Sequence, residues 1–489
     1  MSTRARDGVR GRFVVAAVLA AAVLAGGVFL EQALGRRPLD QGPPPPAGTG
    51  AWFCPHGGGV GWRVWVVAAN PSDREVALRV TTFGGKGATA TRERLAAGAV
   101  AYVSVPAEDK TSASVMEFFG PPVAAGMVAV RPDGGGLGAE PCAPRAGTRW
   151  LVPEGTSVRG QSSKLVVVNP FAEAAVIDVT LLTRDGPIRP GRVSGVVIKP
   201  RRTVAFNLND LALGEEPVTT EVHASLGKVA VGGLDVVGDG GLRSVLAVPE
   251  PARTWVLPGA ADDGTSEVTV TATGGGRVPF HVRAQGPESQ VVVLEEGTVA
   301  GESARTSEVE AEDAGLVVEA EGPEPFVAGR RLSSGVPPPE PPPQREPGKG
   351  KKGKQRRPEP PPPPESTDSA ATSGVPSGGA AWLAPPALAP GGGRAILILE
   401  NAGTTEVRAE VALLGRDGPP QELESVVVPA GLTVTVDLAG VVGQEPVAAF
   451  VRGSRASLVV AQAGLGPEGY AVAVGSRMEP SAVLGSLGI

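Results

Sequence analysis

The phrase Trp-x-x-Pro occurs four times along this chain, at Trp52–Pro55, Trp150–Pro153, Trp255–Pro258 and Trp382–Pro385. An anchor repeated at domain-sized intervals means that one structural unit has been copied, which constrains the fold more than any composition value. Other landmarks recur in step with it. Asn169-Pro170 and Asn401-Ala402 stand at the same distance from their tryptophans, and Asn70-Pro71 stands one residue closer. Leu181-Leu182-Thr183-Arg184-Asp185-Gly186 is matched by Leu413-Leu414-Gly415-Arg416-Asp417-Gly418. The third copy is shorter and has Thr273-Gly274 where an asparagine is expected.

Between these landmarks apolar and polar residues alternate. Val407, Ala409, Val411 and Leu413 fall on one face, opposite Arg408 and Glu410, and Ile177, Val179 and Leu181 lie opposite Asp178 and Thr180. Period two is the pattern of half-buried antiparallel strands. Asn-Pro and Asp-Gly at the ends of such runs form turns. The 69 glycines and 49 prolines suit short strands and many turns, and do not suit long helices. The second unit reads as seven strands: around Trp150, then 165–169, 176–183, 196–198, 203–208, 219–224 and 229–237.

The expected fold is therefore all-β, four tandem immunoglobulin-like antiparallel β-sandwich modules following one N-terminal transmembrane helix. The modules are placed at residues 51–142, 148–251, 253–334 (divergent) and 381–478, with a tail at 479–489. A propeller-like ring of four units is the competing architecture. The stretch 335–380 argues against it, being a proline-clustered linker with a basic centre, read as a semi-stiff spacer without a packed core.

Residues 13–30 form an uncharged apolar run preceded by Arg4, Arg6, Arg10 and Arg12. As a helix it is about 27 Å long, enough to cross the hydrocarbon core. The arginines place residues 1–12 in the cytoplasm and the rest outside, beyond a proline-rich spacer at 31–50. A cleaved signal peptide, with Val23-x-Ala25 as the small-residue site, is the competing reading. The two cysteines, Cys54 and Cys142, fall in the outside portion and read as one disulfide in an oxidising compartment, with two unpaired buried thiols as the alternative. A net charge of −6 gives no case for nucleic acid.

An anchor, a proline spacer and Trp-x-x-Pro modules with Asn-Pro and Arg-Asp-Gly turns resemble a family of membrane-anchored extracytoplasmic proteins of actinobacteria, classed only as a domain of unknown function. The resemblance implies a place at the cell envelope and no known activity, so it carries no functional residues.

The residues that bear chemistry are few. His56, His223 and His281 are the only histidines. No Gly-x-Ser-x-Gly elbow, His-Glu-x-x-His, Cys-x-x-Cys or phosphate-loop spacing is present, so no catalytic, metal or cofactor residue is expected. Candidate ligand contacts are Trp62 and Trp65, which are not spent as repeat anchors, and the linker cations Lys351, Lys352, Lys354, Arg356 and Arg357. The expected function is non-enzymatic: a single-pass envelope protein whose modules serve protein interaction or spacing outside the membrane. The alternative is a binder of cell-wall glycan or anionic polymer. The partners expected are the membrane and an envelope protein or wall polymer, with no nucleic acid and no small-molecule cofactor.

Overall fold

In the computed structural model, module one is built from β1 (Thr49–Cys54), β2 (Arg63–Ala69), β3 (Val76–Gly84), β4 (Gly87–Leu95), β5 (Val100–Val105), β6 (Ala113–Phe119), β7 (Ala124–Val130) and β8 (Leu137–Pro141). The structure describes residues 48–478 except 85–86, 133–134, 238–240, 260–265, 286–290, 311–314, 334–368 and 418. The apolar run at 13–30 and the linker cations lie outside the described residues. No helix among the described residues is long and apolar enough to cross a membrane.

Two antiparallel sheets make the module, in the orders β1-β6-β3-β4 and β5-β2-β7-β8. Both orders recur in modules two, three and four, including the third, whose sequence diverges most. The alternation seen in the sequence is what positions the strands. In Val407–Leu414, the fourth module's counterpart of β3, Val407, Ala409, Val411 and Leu413 are buried while Arg408 and Glu410 are exposed. The partition of strands differs from an immunoglobulin domain at its ends. There the first strand shares a sheet with the second and fifth. Here β1 lies with β3 and β6, and β7 lies with β2 and β5.

The tryptophan closes each module on itself. Its indole N–H donates to the backbone carbonyl at the start of the β7 strand: Trp52 to Val123 (2.9 Å), Trp150 to Val229 (2.7 Å), Trp255 to Phe326 (2.7 Å) and Trp382 to Leu458 (2.8 Å). The residue after the tryptophan pairs with the module's last segment, as Phe53 with Ala143, Leu151 with Val248, Val256 with Val375 and Leu383 with Ser476. A buried indole needs such an acceptor, which is why the anchor is tryptophan rather than another large apolar residue.

The asparagines are equally constrained. The side-chain amide of Asn169 donates to the carbonyls of Glu173, Ile198 and Lys199, and its oxygen accepts from the N–H of Phe171. Asn401 does the same with Thr405, Val428, Pro429 and the N–H of Gly403, and Asn70 with Arg74, Leu95, Ala96 and the N–H of Ser72. One amide thus joins the turn after β2 to the approach of β5, a set of partners that only asparagine fits.

The four modules close into a ring, the arrangement against which the linker argues in the sequence. β8 and its counterparts Gly241–Leu246, Ser369–Ser373 and Gly469–Val474 are neighbours in cyclic order, the last returning to the first. The linker does not prevent closure because both its ends belong to one sheet: Ser369–Ser373 pairs with Phe326–Ser333, and Ser333 stands opposite Ser369. Residues 334–368 are therefore an insertion within module three, and do not hold module four at a distance. Ser369–Ser373 falls in the stretch assigned to the linker, and module three runs on to Val375.

The prolines of three of the four Trp-x-x-Pro phrases pack across seams of the ring. A Cβ placed on Gly232 would lie 2.8 Å from Cγ of Pro55, one on Gly329 2.9 Å from Cβ of Pro153, and one on Gly126 2.7 Å from Cγ of Pro385. Each proline packs onto the β7 strand of the next module where no side chain is possible. The seam between modules two and three adds an ionic cluster around the buried Arg331 and Glu154, with Glu216 and Glu267 at its open side. Arg331 pairs with Glu154 (2.9 Å), Glu216 (2.7 Å) and Glu267 (3.2 Å). Modules four and one are joined by backbone bonds from Gly136 to Glu468 and from Val100 to Gly415, and by Tyr102 Oη donating to the Leu388 carbonyl.

Candidate functional site

Each module ends in the segment that pairs beside its own tryptophan, and ring closure brings the four ends together. They enclose a cup of about 630 Å³, within the range of small-molecule sites. Its wall is made from Cys142-Ala143-Pro144, Ala247-Val248-Pro249, Gly374-Val375-Pro376 and Gly475-Ser476-Arg477. All four repeat tryptophans line it and are nearly fully buried, so they back the wall rather than offer open ring faces. Gly374 and Gly475 admit this closeness, for a Cβ on Gly374 would lie 3.1 Å from Cε3 of Trp255 and one on Gly475 3.4 Å from Cε3 of Trp382.

The polar groups of the cup are unevenly placed. Arg145, Glu250, Ser377 and Arg477 stand exposed at the mouth, and Arg477 donates to Ser377 Oγ (3.1 Å) and to the Gly378 carbonyl (3.2 Å). Glu140 on β8 is the one acidic residue of the cup that is buried, at 1% exposure. Burial pushes its carboxyl well above the usual carboxylate range, partly opposed by a bond from the Leu246 backbone. Its Oε1 has no hydrogen-bond partner in the protein. Sequence reading missed the cup, although Pro144, Pro249 and Pro376 each stand six residues before the next tryptophan and signalled a shared module end.

The cysteines are joined as a disulfide, Cys54–Cys142, in the wall of this cup. The bond clamps the first strand of module one to its exit. The register puts Val152 and Ala247, Leu257 and Gly374, and Ala384 and Gly475 in the same place in the other modules.

Trp62 and Trp65 lie elsewhere. Trp62 precedes β2 rather than sharing a strand with Trp65, and both are half-buried against the core. Lys164 of module two lies over the Trp62 ring at 5.8 Å, and Arg63 over the Trp65 ring at 5.7 Å. The ammonium of Lys164 is held below its ordinary value by burial first and then by Lys110 and Arg131, so three cations gather at this seam.

The histidines are dispersed. His56 is fully buried and its Nε2 lies 2.9 Å from Ser114 Oγ, while Nδ1 faces the Gly57 carbonyl at 2.7 Å. Burial lowers it to about 4. Ser114 is also fully buried, and its next partner is Thr82 (2.8 Å) rather than a carboxylate, so the pair is sealed from solvent. His223 is exposed, and His281 pairs with Glu319 (3.1 Å). Among the described residues no group of three or more His, Cys, Asp or Glu side chains is placed to hold a metal.

A family described as "Family of unknown function (DUF5719)" matches residues 107–341. The match begins ahead of β6, takes in all of module two and extends past the seventh strand of module three. No curated protein matches the chain. Over somewhat less than half of its length, this chain is thus similar to a family whose function is unknown.

Proposed function

We propose that this protein is a non-enzymatic binding scaffold of the cell envelope. In this reading residues 13–30 are an anchor, and four immunoglobulin-related sandwiches form a rigid platform outside the membrane. The carrying observation is the cup: four copies of one module end contribute equivalent walls to a single cavity. A catalytic site usually depends on one asymmetric cluster of groups with shifted pKa values, whereas here the repeated feature is a shape. The test is crosslinking of the full-length protein on intact cells. A discrete partner, lost when Pro249 and Val248 at the cup are replaced by bulky charged residues in a chain that still folds, is the expected result. Equal recovery of partners from both chains refutes the reading.

A second reading is favoured by the seam at Trp62. Lys110, Arg131 and Lys164 beside a half-buried indole supply charge and an aromatic surface for an anionic wall glycan or polymer. Retention of the full-length protein on purified wall at low salt, released by salt and lost in Lys164→Ala, supports it. No retention at low salt removes it.

A further inference from the structure

We propose that the axial cup binds a ligand with a primary ammonium group on an apolar body, the ammonium meeting Glu140 at the floor. The inference deepens the scaffold reading and rests on it. Three observations support it. The wall is prolines, valines, alanines and backed indoles, so a small ligand body that fits must itself be largely apolar. One carboxyl is buried among these walls, and its Oε1 lacks a hydrogen-bond partner in the protein. A buried carboxyl oxygen without a partner carries an unmet demand for a donor, and a cationic donor satisfies the charge and the hydrogen bond together.

The module pattern strengthens the assignment. Val245, Thr372 and Ala473 occupy the place of Glu140 in modules two, three and four, as the register of the module ends requires. The acid is therefore not demanded by the repeat fold, which is built three times without it. It breaks the near-fourfold symmetry of the cup and gives a ligand one orientation. At the mouth Arg145 and Arg477 come from modules one and four, which adjoin in the ring, and Glu250 stands on module two. A ligand carrying a carboxylate at its far end would meet the two guanidinium groups. The class expected to bind best is an ω-amino acid or a short peptide-like chain with its amino end inward.

The experiment uses the full-length protein in detergent micelles and three probes of equal chain length: hexylamine, 6-aminohexanoate and hexan-1-ol. Quenching or shift of tryptophan fluorescence reports occupancy, because four of the six tryptophans line the cup. Hexylamine should bind about tenfold more tightly than hexan-1-ol, the usual effect of one charge-assisted hydrogen bond. 6-Aminohexanoate should bind more tightly again. Glu140→Gln should reduce hexylamine to the level of hexan-1-ol while leaving the alcohol unchanged, with the unfolding midpoint recorded to show that the variant is folded. Arg145→Ala, at an exposed position, should leave hexylamine binding intact and remove part of the gain of 6-aminohexanoate. Equal binding of hexylamine and hexan-1-ol, or hexylamine binding untouched by Glu140→Gln, overturns the proposal and leaves an apolar cavity only. The crosslinking test of the scaffold reading is independent of these probes, so either result can fail without the other.

Discussion

Pro55 of module one lies against Gly232 of module two at a distance that leaves no room for a methyl group. The same relationship joins Pro153 to Gly329 and Pro385 to Gly126, so three of the four seams rest on one residue pair. Gly232→Ala should destabilise the protein by about 1–3 kcal/mol through overpacking, and Pro55→Ala should relieve much of that in the double variant. Chemical denaturation of the two single variants and the double variant gives the coupling. Additive effects would show that the two residues do not press on each other.

Trp150→Phe should cost about 1–2 kcal/mol beyond the volume lost. The Val229 carbonyl keeps the bond from the Gly147 N–H, so only one of its two donors disappears. Trp150→Ala should cost about 3–5 kcal/mol, as for other large buried aromatics. Unfolding midpoints of the two variants check the order.

Asn169→Ala removes the donors to three carbonyls and the acceptor for the Phe171 N–H. A loss of about 3 kcal/mol is expected, since part of this set is buried and stays unsatisfied. Asn401→Ala should behave alike. A variant as stable as wild type by denaturant titration would contradict this account of the repeat.

Breaking the disulfide should cost about 2–5 kcal/mol, because it closes a sequence separation of 88 residues. The manner of breaking should matter. Cys54→Val with Cys142→Ala copies the Val152 and Ala247 pair of module two and should be milder than the double serine variant, which buries two hydroxyls. Equal melting temperatures for the two double variants would refute the equivalence of those positions.

Two buried groups should shape the acid profile in opposite senses. His56 is lowered from 6.5 to about 4 by burial, so the unfolded chain binds the proton first. Its contribution is full above pH 6.5 and is lost as pH falls to 4, by about 3 kcal/mol. Glu400 is raised to about 8 by burial, opposed by Arg330, so its contribution is full below pH 4.5 and is lost as pH rises to 8. Stability against pH should therefore show His56→Gln gaining on wild type toward acid and Glu400→Gln gaining toward alkali. Parallel curves for either variant would contradict the burial assigned to that group.

Much of the module was legible because alternation survives wherever one strand face meets the core and the other meets water. Val407–Leu414 shows this, as does Val76–Gly84 with Val76, Leu78 and Val80 inward. The eighth strand was not legible for the opposite reason. Gly241–Leu246 is covered on both sides, by its own module and by its neighbours in the ring, so Arg243 and Ser244 are buried beside Leu242 and Val245 and no period appears. Ring closure was hidden with it, since these strands form the axis. Trp62 was found as a candidate but its companions were not, because Lys164 reaches it from another module. Glu140 was invisible for a related reason: nothing in the string Leu137–Pro141 distinguishes a buried carboxyl from a solvated one.

The pairing of Ser333 with Ser369 means that the chain departs from module three and returns to the same place. A protease cut anywhere in residues 334–368 would therefore sever the polypeptide without opening the ring, and both pieces would migrate as one particle until denatured. The same two positions are a natural point for swapping in a short turn or a reporter domain. Such an exchange alters nothing in the spacing between the third and fourth modules.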